Sequence, residues 1–120
     1  MATRSTIAIQ MPDGKIRGVY IHWDGHVETN GVILAKNYTK ASEALALMYK
    51  GSMSELHEKI EDCIYHVDQG NYSISYNYEN LQDYIENHDG EEFNYIFTGR
   101  TWKVVRNKKL YSLNRMIAKL

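Results

Sequence analysis

The 120-residue sequence predicts an α+β fold: an antiparallel sheet built from hairpins, with helices packed mainly on one face. Three observations carry that expectation. Two alternating apolar and polar runs flank Met11-Pro12-Asp13-Gly14, and two more flank Thr98-Gly99-Arg100, so the chain has a hairpin near each end. Between and after them, apolar residues recur at helical spacing. No repeat or composition break divides the chain, which reads as one domain over residues 1–120.

Taken in order, Thr3 to Gln10 alternates as a first strand, and Lys15 to His22 returns as the second. This second strand runs into His22-Trp23-Asp24-Gly25, a corner at which Gly25 is expected to supply a positive φ. A short helix is expected over Thr29 to Tyr38. A stronger one follows over Lys40 to Lys50, with Thr39 as N-cap and Gly51 as terminator. Ser52-Met53-Ser54-Glu55 has the spacing of a capping box, which predicts a further helical turn through Ile60. Cys63 to Val67 and Tyr72 to Tyr78 read as strands around Asp68-Gln69-Gly70-Asn71. Glu79 to Asn87 reads as a helix with Leu81, Tyr84 and Ile85 inward. Glu92 to Phe97 and Thr101 to Arg106 form the second hairpin, and Leu110 to Lys119 closes the chain as an amphipathic helix.

Composition bounds the function. A formal net charge of -1 argues against a DNA-coating protein. The single Cys63 excludes an internal disulfide framework and fits a reducing compartment. No apolar run is long enough to span a bilayer and no secretory h-region is seen, so a soluble protein of the cytoplasm is expected. Ten tyrosines are the outlier, suited to half-buried sheets and to binding surfaces alike. Six acids and no Lys or Arg lie between Glu79 and Glu92, whereas Arg100 to Leu120 holds seven bases and no acid. Pairing between these segments, within or between subunits, is the simplest use of that asymmetry. The functional one is a local anion site.

Few constellations point to catalysis. His22, Asp24 and His26 fall at alternate positions, and the His22-x-Asp24 pair with His66 or His88 as a distant third ligand would be part of a facial triad. Gly25 interrupts the strand before His26 and no further ligand cluster supports the pattern, so no metal and no cofactor is expected. Cys63 and His66, three apart on a strand, face opposite ways and suit a structural thiol. Asp24 with Glu91 or Glu92 would be a carboxylate pair, but nothing in the sequence brings them together. Asn94, opposite Phe93 and Tyr95 on its strand, has the donor and acceptor to read a base edge or ribose, or to sit on a wet sheet face. Trp23 fills the core at a plain Asp-Gly corner, or presents its ring for stacking.

Thr3-Arg4-Ser5-Thr6-Ile7, Tyr20-Ile21-His22-Trp23-Asp24-Gly25 and Glu91-Glu92-Phe93-Asn94-Tyr95 together resemble a family of small proteins encoded by tailed phages and prophages. The chain departs from that family's pattern at His26, where relatives often carry an aromatic, and in its tyrosine-rich middle. One branch resembles the anti-Thoeris sponges, which sequester cyclic ADP-ribose isomers without cleaving them. The resemblance implies an α+β homo-oligomer in the host cytoplasm, not an enzyme, with ligand pockets formed partly between protomers. The residue types fit: Trp23 to stack, Arg4 and Arg106 to meet phosphate, and His22, Asp24 and Asn94 to meet ribose or base. A rival from another class is a small phage interaction protein that binds and inhibits a host protein through its tyrosine-rich face or its acidic one, the run from Glu79 to Glu92. Membrane and nucleic-acid partners are not expected.

Overall fold

The computed structural model describes residues 2–120. Strands β1 (Ser5–Gln10), β2 (Ile16–Ile21), β3 (Met53–Glu55), β4 (Ile64–Tyr65), β6 (Phe93–Thr98), β7 (Thr101–Arg106) and β8 (Lys109–Ser112) line up in the order β4-β3-β2-β1-β6-β7-β8. Strand β5 (Ser75–Tyr78) pairs with the first half of β2, beside the place where β3 takes its end. Most neighbours are antiparallel, but β1 with β6 and β2 with β3 are parallel.

Helices α1 (Val32–Asn37), α2 (Ala41–Met48) and α4 (Leu113–Ala118) cover one face, around Ile7, Ile9, Val19, Ile21, Tyr95, Phe97 and Val104. Helix α3 (Leu81–Asn87) lies alone on the other face, where Tyr84 packs with Ala8, Ile16 and Ile96. The fold is therefore α+β with helices mainly on one face. Because β1 is covered on both sides, Ser5 through Ile9 are all buried despite their alternating sequence. Trp102 fills the main core and donates its indole N–H to the Tyr38 carbonyl at 2.7 Å.

Of the strands expected at Cys63 to Val67 and Tyr72 to Tyr78, only Ile64–Tyr65 and Ser75–Tyr78 form, and they pair with β3 and β2 and not with each other. Four further segments differ from the sequence reading. Ser52 does not cap a helix: its hydroxyl accepts from the Ile74 amide at 2.8 Å and bonds His66 Nδ1 at 2.9 Å. Met53, thus released, pairs with Ile21 and Tyr65 as β3, and only a 3₁₀ turn remains at Ile60–Asp62. The helix expected over Thr29 to Tyr38 begins as a π turn, Val27–Gly31, and becomes α-helical only at Val32. Thr39 is not the N-cap of α2. Lys40 is, and the Glu43 carboxylate reaches back to the amides of both residues, each at 3.1 Å. Leu110 is a strand residue: Asn107 and Lys108, both at positive φ, reverse the chain in two residues so that Leu110 pairs with Val105. α4 starts only at Leu113, capped by the Ser112 hydroxyl.

Candidate functional site

Topology sets the candidate site. β1 and β6 run parallel while β2 and β7 run against them, so Arg4, Asn94, the His22-Trp23-Asp24 corner and Arg106 all reach one end of the sheet. They do not share one face. Alternation puts Asn94 with Thr6 and Tyr20 on the α3 face, and Arg106 with Val104 and Phe93 on the three-helix face.

The corner is held by the π turn that follows it. Asn30, buried, donates Nδ2 to the Trp23 carbonyl at 2.9 Å, and its amide bonds the Asp24 carbonyl at 3.1 Å. The Thr29 hydroxyl also donates to the Asp24 carbonyl. With its carbonyl so engaged, Asp24 itself takes the positive φ of 60° that was expected of Gly25. Gly25 is required for a different reason. A Cβ there would stand 2.9 Å from both Ser5 Cβ and the Thr3 carbonyl oxygen, and Gly25 N bonds that same carbonyl.

The turn also decides the place of Trp23. The ring does not fill the core, a role that belongs to Trp102; it is 41% exposed and meets the His22 ring edge-on at 4.8 Å. His22 Nδ1 bonds the Tyr20 hydroxyl at 2.7 Å, and His66 stacks over Tyr20 at 6.2 Å. Burial raises the Tyr20 pKa, the Arg4 charge opposes that rise and Glu91 adds to it, which places a cation and a carboxylate about this phenol. Burial and the neighbouring His22 lower the pKa of His66. The result is an aromatic and imidazole shelf with Arg4 at its margin.

Asn94 is not free to meet a ligand through its carbonyl oxygen. That atom accepts from the Thr6 hydroxyl at 2.6 Å and the Glu91 amide at 3.1 Å, and lies 3.2 Å from His88 Nε2, while Nδ2 donates to the Glu91 carbonyl at 2.8 Å. Because this oxygen can only accept, His88 carries its proton on Nε2 and receives the Tyr78 hydroxyl proton on Nδ1, at 2.7 Å. His88 also stacks on Tyr84 at 4.8 Å. Asn94 and His88 thus clasp the loop after α3 to the sheet.

On the opposite face, Arg106 lies over the Phe93 ring, 6.0 Å from its centroid, and His26 meets that ring edge-on at 5.5 Å. Arg106 also lines an open cavity of about 480 Å³ between the β7–β8 hairpin and α4, with Asn107, Tyr111, Met116 and Lys119. Two cations, an exposed phenol and a thioether, with no carboxylate among them, suit an anion bearing a flat ring. The sequence does not single out Tyr111, and it offers Phe93 only as the strand neighbour of Asn94, and His26 only in the incomplete metal pattern and as a departure from the family pattern. The signal available was Arg106 and Phe93 facing each other across a hairpin.

The remaining groups are committed elsewhere. Cys63 is buried and bonded within the chain around His57, Lys59 and Tyr38, burial raises its pKa, and His66 is turned to Ser52 instead. Among the described residues no three His, Cys, Asp or Glu side chains gather as metal ligands, and no helix is long and apolar enough to cross a membrane. The acidic and basic segments do not pair within the chain: the ion pairs among the described residues are Lys50–Asp68 and His57–Glu55. The geometry defines an α+β protein with a cationic, aromatic rim at one sheet end. Comparison with family models, curated proteins and solved structures finds no match.

Proposed function

We propose that this protein is a phage-encoded counter-defence protein that binds and sequesters a cyclic nucleotide signal of the cyclic ADP-ribose type without cleaving it. The observation that carries the reading is the Arg106 cavity, where Arg106 and Lys119 converge beside Tyr111 at the sheet end that also holds Trp23 and Arg4. Such a ligand needs cations for its pyrophosphate and ring faces for its base. Sequestration needs affinity alone. Homo-oligomerisation in the host cytoplasm belongs to the same proposal, since the rim is split between two faces and a second protomer would complete each half.

The test is calorimetric titration with cyclic ADP-ribose isomers, followed by chromatography of the recovered ligand. Tight binding with intact ligand supports the reading. Absence of binding by a folded protein removes it, and a converted ligand makes the protein an enzyme. A second reading, inhibition of a host protein, is favoured by the exposed, unpaired carboxylates Glu79, Glu86 and Glu92 on and around α3. A host protein retained by wild type and lost when these three become glutamine would favour it.

A further inference from the structure

The structure holds a second feature at the other end of β2, far along the strand from the corner. Two adjoining cavities, about 340 and 540 Å³, share Arg17 and Asn77 and run beside β5 from the end of α2 to the β1–β2 turn. The first has an apolar floor of Ile9, Val19 and Met48, with Arg17 and Lys50 above it and no carboxylate in its lining. Arg17 makes no ion pair or side-chain hydrogen bond among the described residues, whereas Lys50 makes an exposed pair with Asp68 and lies over the Tyr65 ring at 5.4 Å. The second cavity carries Asp13, Lys15 and Glu79. Two of the nine exposed large hydrophobics among the described residues, Leu45 and Tyr49, lie in the lining of the first cavity. Apolar groups left together in water in this way mark a contact surface.

The backbone beside this groove is also unsatisfied. The Tyr20 amide donates to the Ile74 carbonyl, so by ladder alternation the residues of β5 bonded to β2 are Tyr76 and Tyr78. The amides and carbonyls of Ser75 and Asn77 therefore point away from β2, along an edge that no other strand pairs. Other sheet edges are short or guarded. β4 has two residues and β8 opens on Lys109, directly after Lys108 of the turn, whereas Ser75 to Tyr78 carries no charge and no proline.

We propose that the groove between β5 and α2 takes an extended peptide of another protein, which adds as a strand to β5 and sets an acidic side chain against Arg17 and Lys50. The linings of the paired cavities follow the chain from Ser73 to Glu79, a course that fits an extended chain rather than a compact ligand. Strand addition would satisfy the amides and carbonyls of Ser75 and Asn77, and alternate side chains would enter the cleft. Apolar ones meet Leu45 and Met48, and the acidic one meets the cations. Charge disfavours a second copy of β5 as occupant, because a symmetric pairing brings the two Arg17-bearing clefts toward each other.

Selection from a displayed library of random hexapeptides tests this, with Asn77→Pro and Arg17→Glu proteins as counter-screens. Asn77 makes no ladder bond to β2, so proline there removes an outward donor while leaving the sheet pairing intact. Circular dichroism and thermal melts check that both variants fold. The expected result is an enriched set with alternating apolar residues and at least one acid. Its affinity should fall roughly tenfold or more in each folded variant, and the Ser75 and Asn77 amides should gain exchange protection on binding. No enrichment, enrichment of basic peptides, or binding indifferent to Asn77→Pro would overturn the proposal. So would light scattering that shows a dimer abolished by Asn77→Pro, which would assign the edge to self-pairing.

Discussion

Asn30 holds the Trp23 carbonyl through its side-chain amide at 2.9 Å, across seven residues, and is itself almost wholly buried. Its Oδ1 has no partner, so the bond to Trp23 is the one hydrogen bond this side chain contributes to the corner. Asn30→Ala would leave the Trp23 carbonyl unmet and open a small void. We expect a loss of about 1–3 kcal/mol in denaturant unfolding, together with a shift in Trp23 fluorescence in the Trp102→Phe background. Unchanged stability and emission would show that the π turn holds the corner without Asn30.

Trp23 and Trp102 should respond oppositely to truncation. Trp102 is 3% exposed and hydrogen-bonded, so Trp102→Ala should cost about 3–5 kcal/mol of stability. Trp23→Ala removes a half-open ring and should cost less than about 2 kcal/mol. If Trp23 stacks on a nucleobase, the same change should weaken nucleotide binding roughly ten- to hundredfold. Thermal melts and calorimetric titration of both variants decide the matter. A folded Trp23→Ala protein with wild-type affinity would remove Trp23 from the site.

Arg106→Ala tests the cavity itself. If Arg106 meets a phosphate of the proposed ligand, its loss should reduce affinity by about tenfold or more, and binding to the wild type should weaken as salt is raised. Arg106→Lys keeps the charge but loses the planar fork and the flat contact with Phe93, so it should restore affinity only in part. Salt-independent binding, or full activity of Arg106→Ala, would place the ligand elsewhere.

Much of the fold was legible because hairpin turns and period-two runs are local signals: β1, β2, β6, β7, α2 and α3 all lie where periodicity put them. The failures were of two kinds. At Ser52 the local capping signal lost to contacts with Ile74 and His66, residues distant in sequence. At Leu110 a two-residue turn of Asn107 and Lys108 gave no glycine to read, so a strand was absorbed into the following helix. Among the site candidates, the sequence identified residues that reach one end of the sheet. It could not tell which face each would take, because Arg106 belongs to a strand whose register depends on β6. Nor could it tell that Asn94 is engaged, since Thr6 and His88 come from separate elements.

The His88 clasp makes stability depend on pH. Burial is the main cause that lowers its pKa from the ordinary 6.5, outweighing the raising influence of Asn94 and Asp89. The groups packed about it are Tyr76, Tyr78 and Tyr84, with Thr6 and Asn94 on its Nε2 side. In the folded protein His88 therefore remains neutral at a pH where the unfolded chain has begun to take up a proton. The unfolded state binds more protons in that window, so stability rises with pH there. Stability should be fully present above 6.5 and decline as pH falls through 6.5 toward the lowered value. His66, lowered by burial and by His22, adds in the same direction. Protonation would also force a donor onto Nδ1, where the Tyr78 hydroxyl now donates, so Tyr78 would have to turn its proton away. Thermal melts between pH 8 and pH 5, roughly spanning ordinary histidine titration, should fall on the acid side for wild type and be flatter for His88→Gln. A wild-type profile flat across that range would show no acid sensitivity, a His88→Gln profile just as steep would assign it to other groups, and either would leave His88 a packing residue.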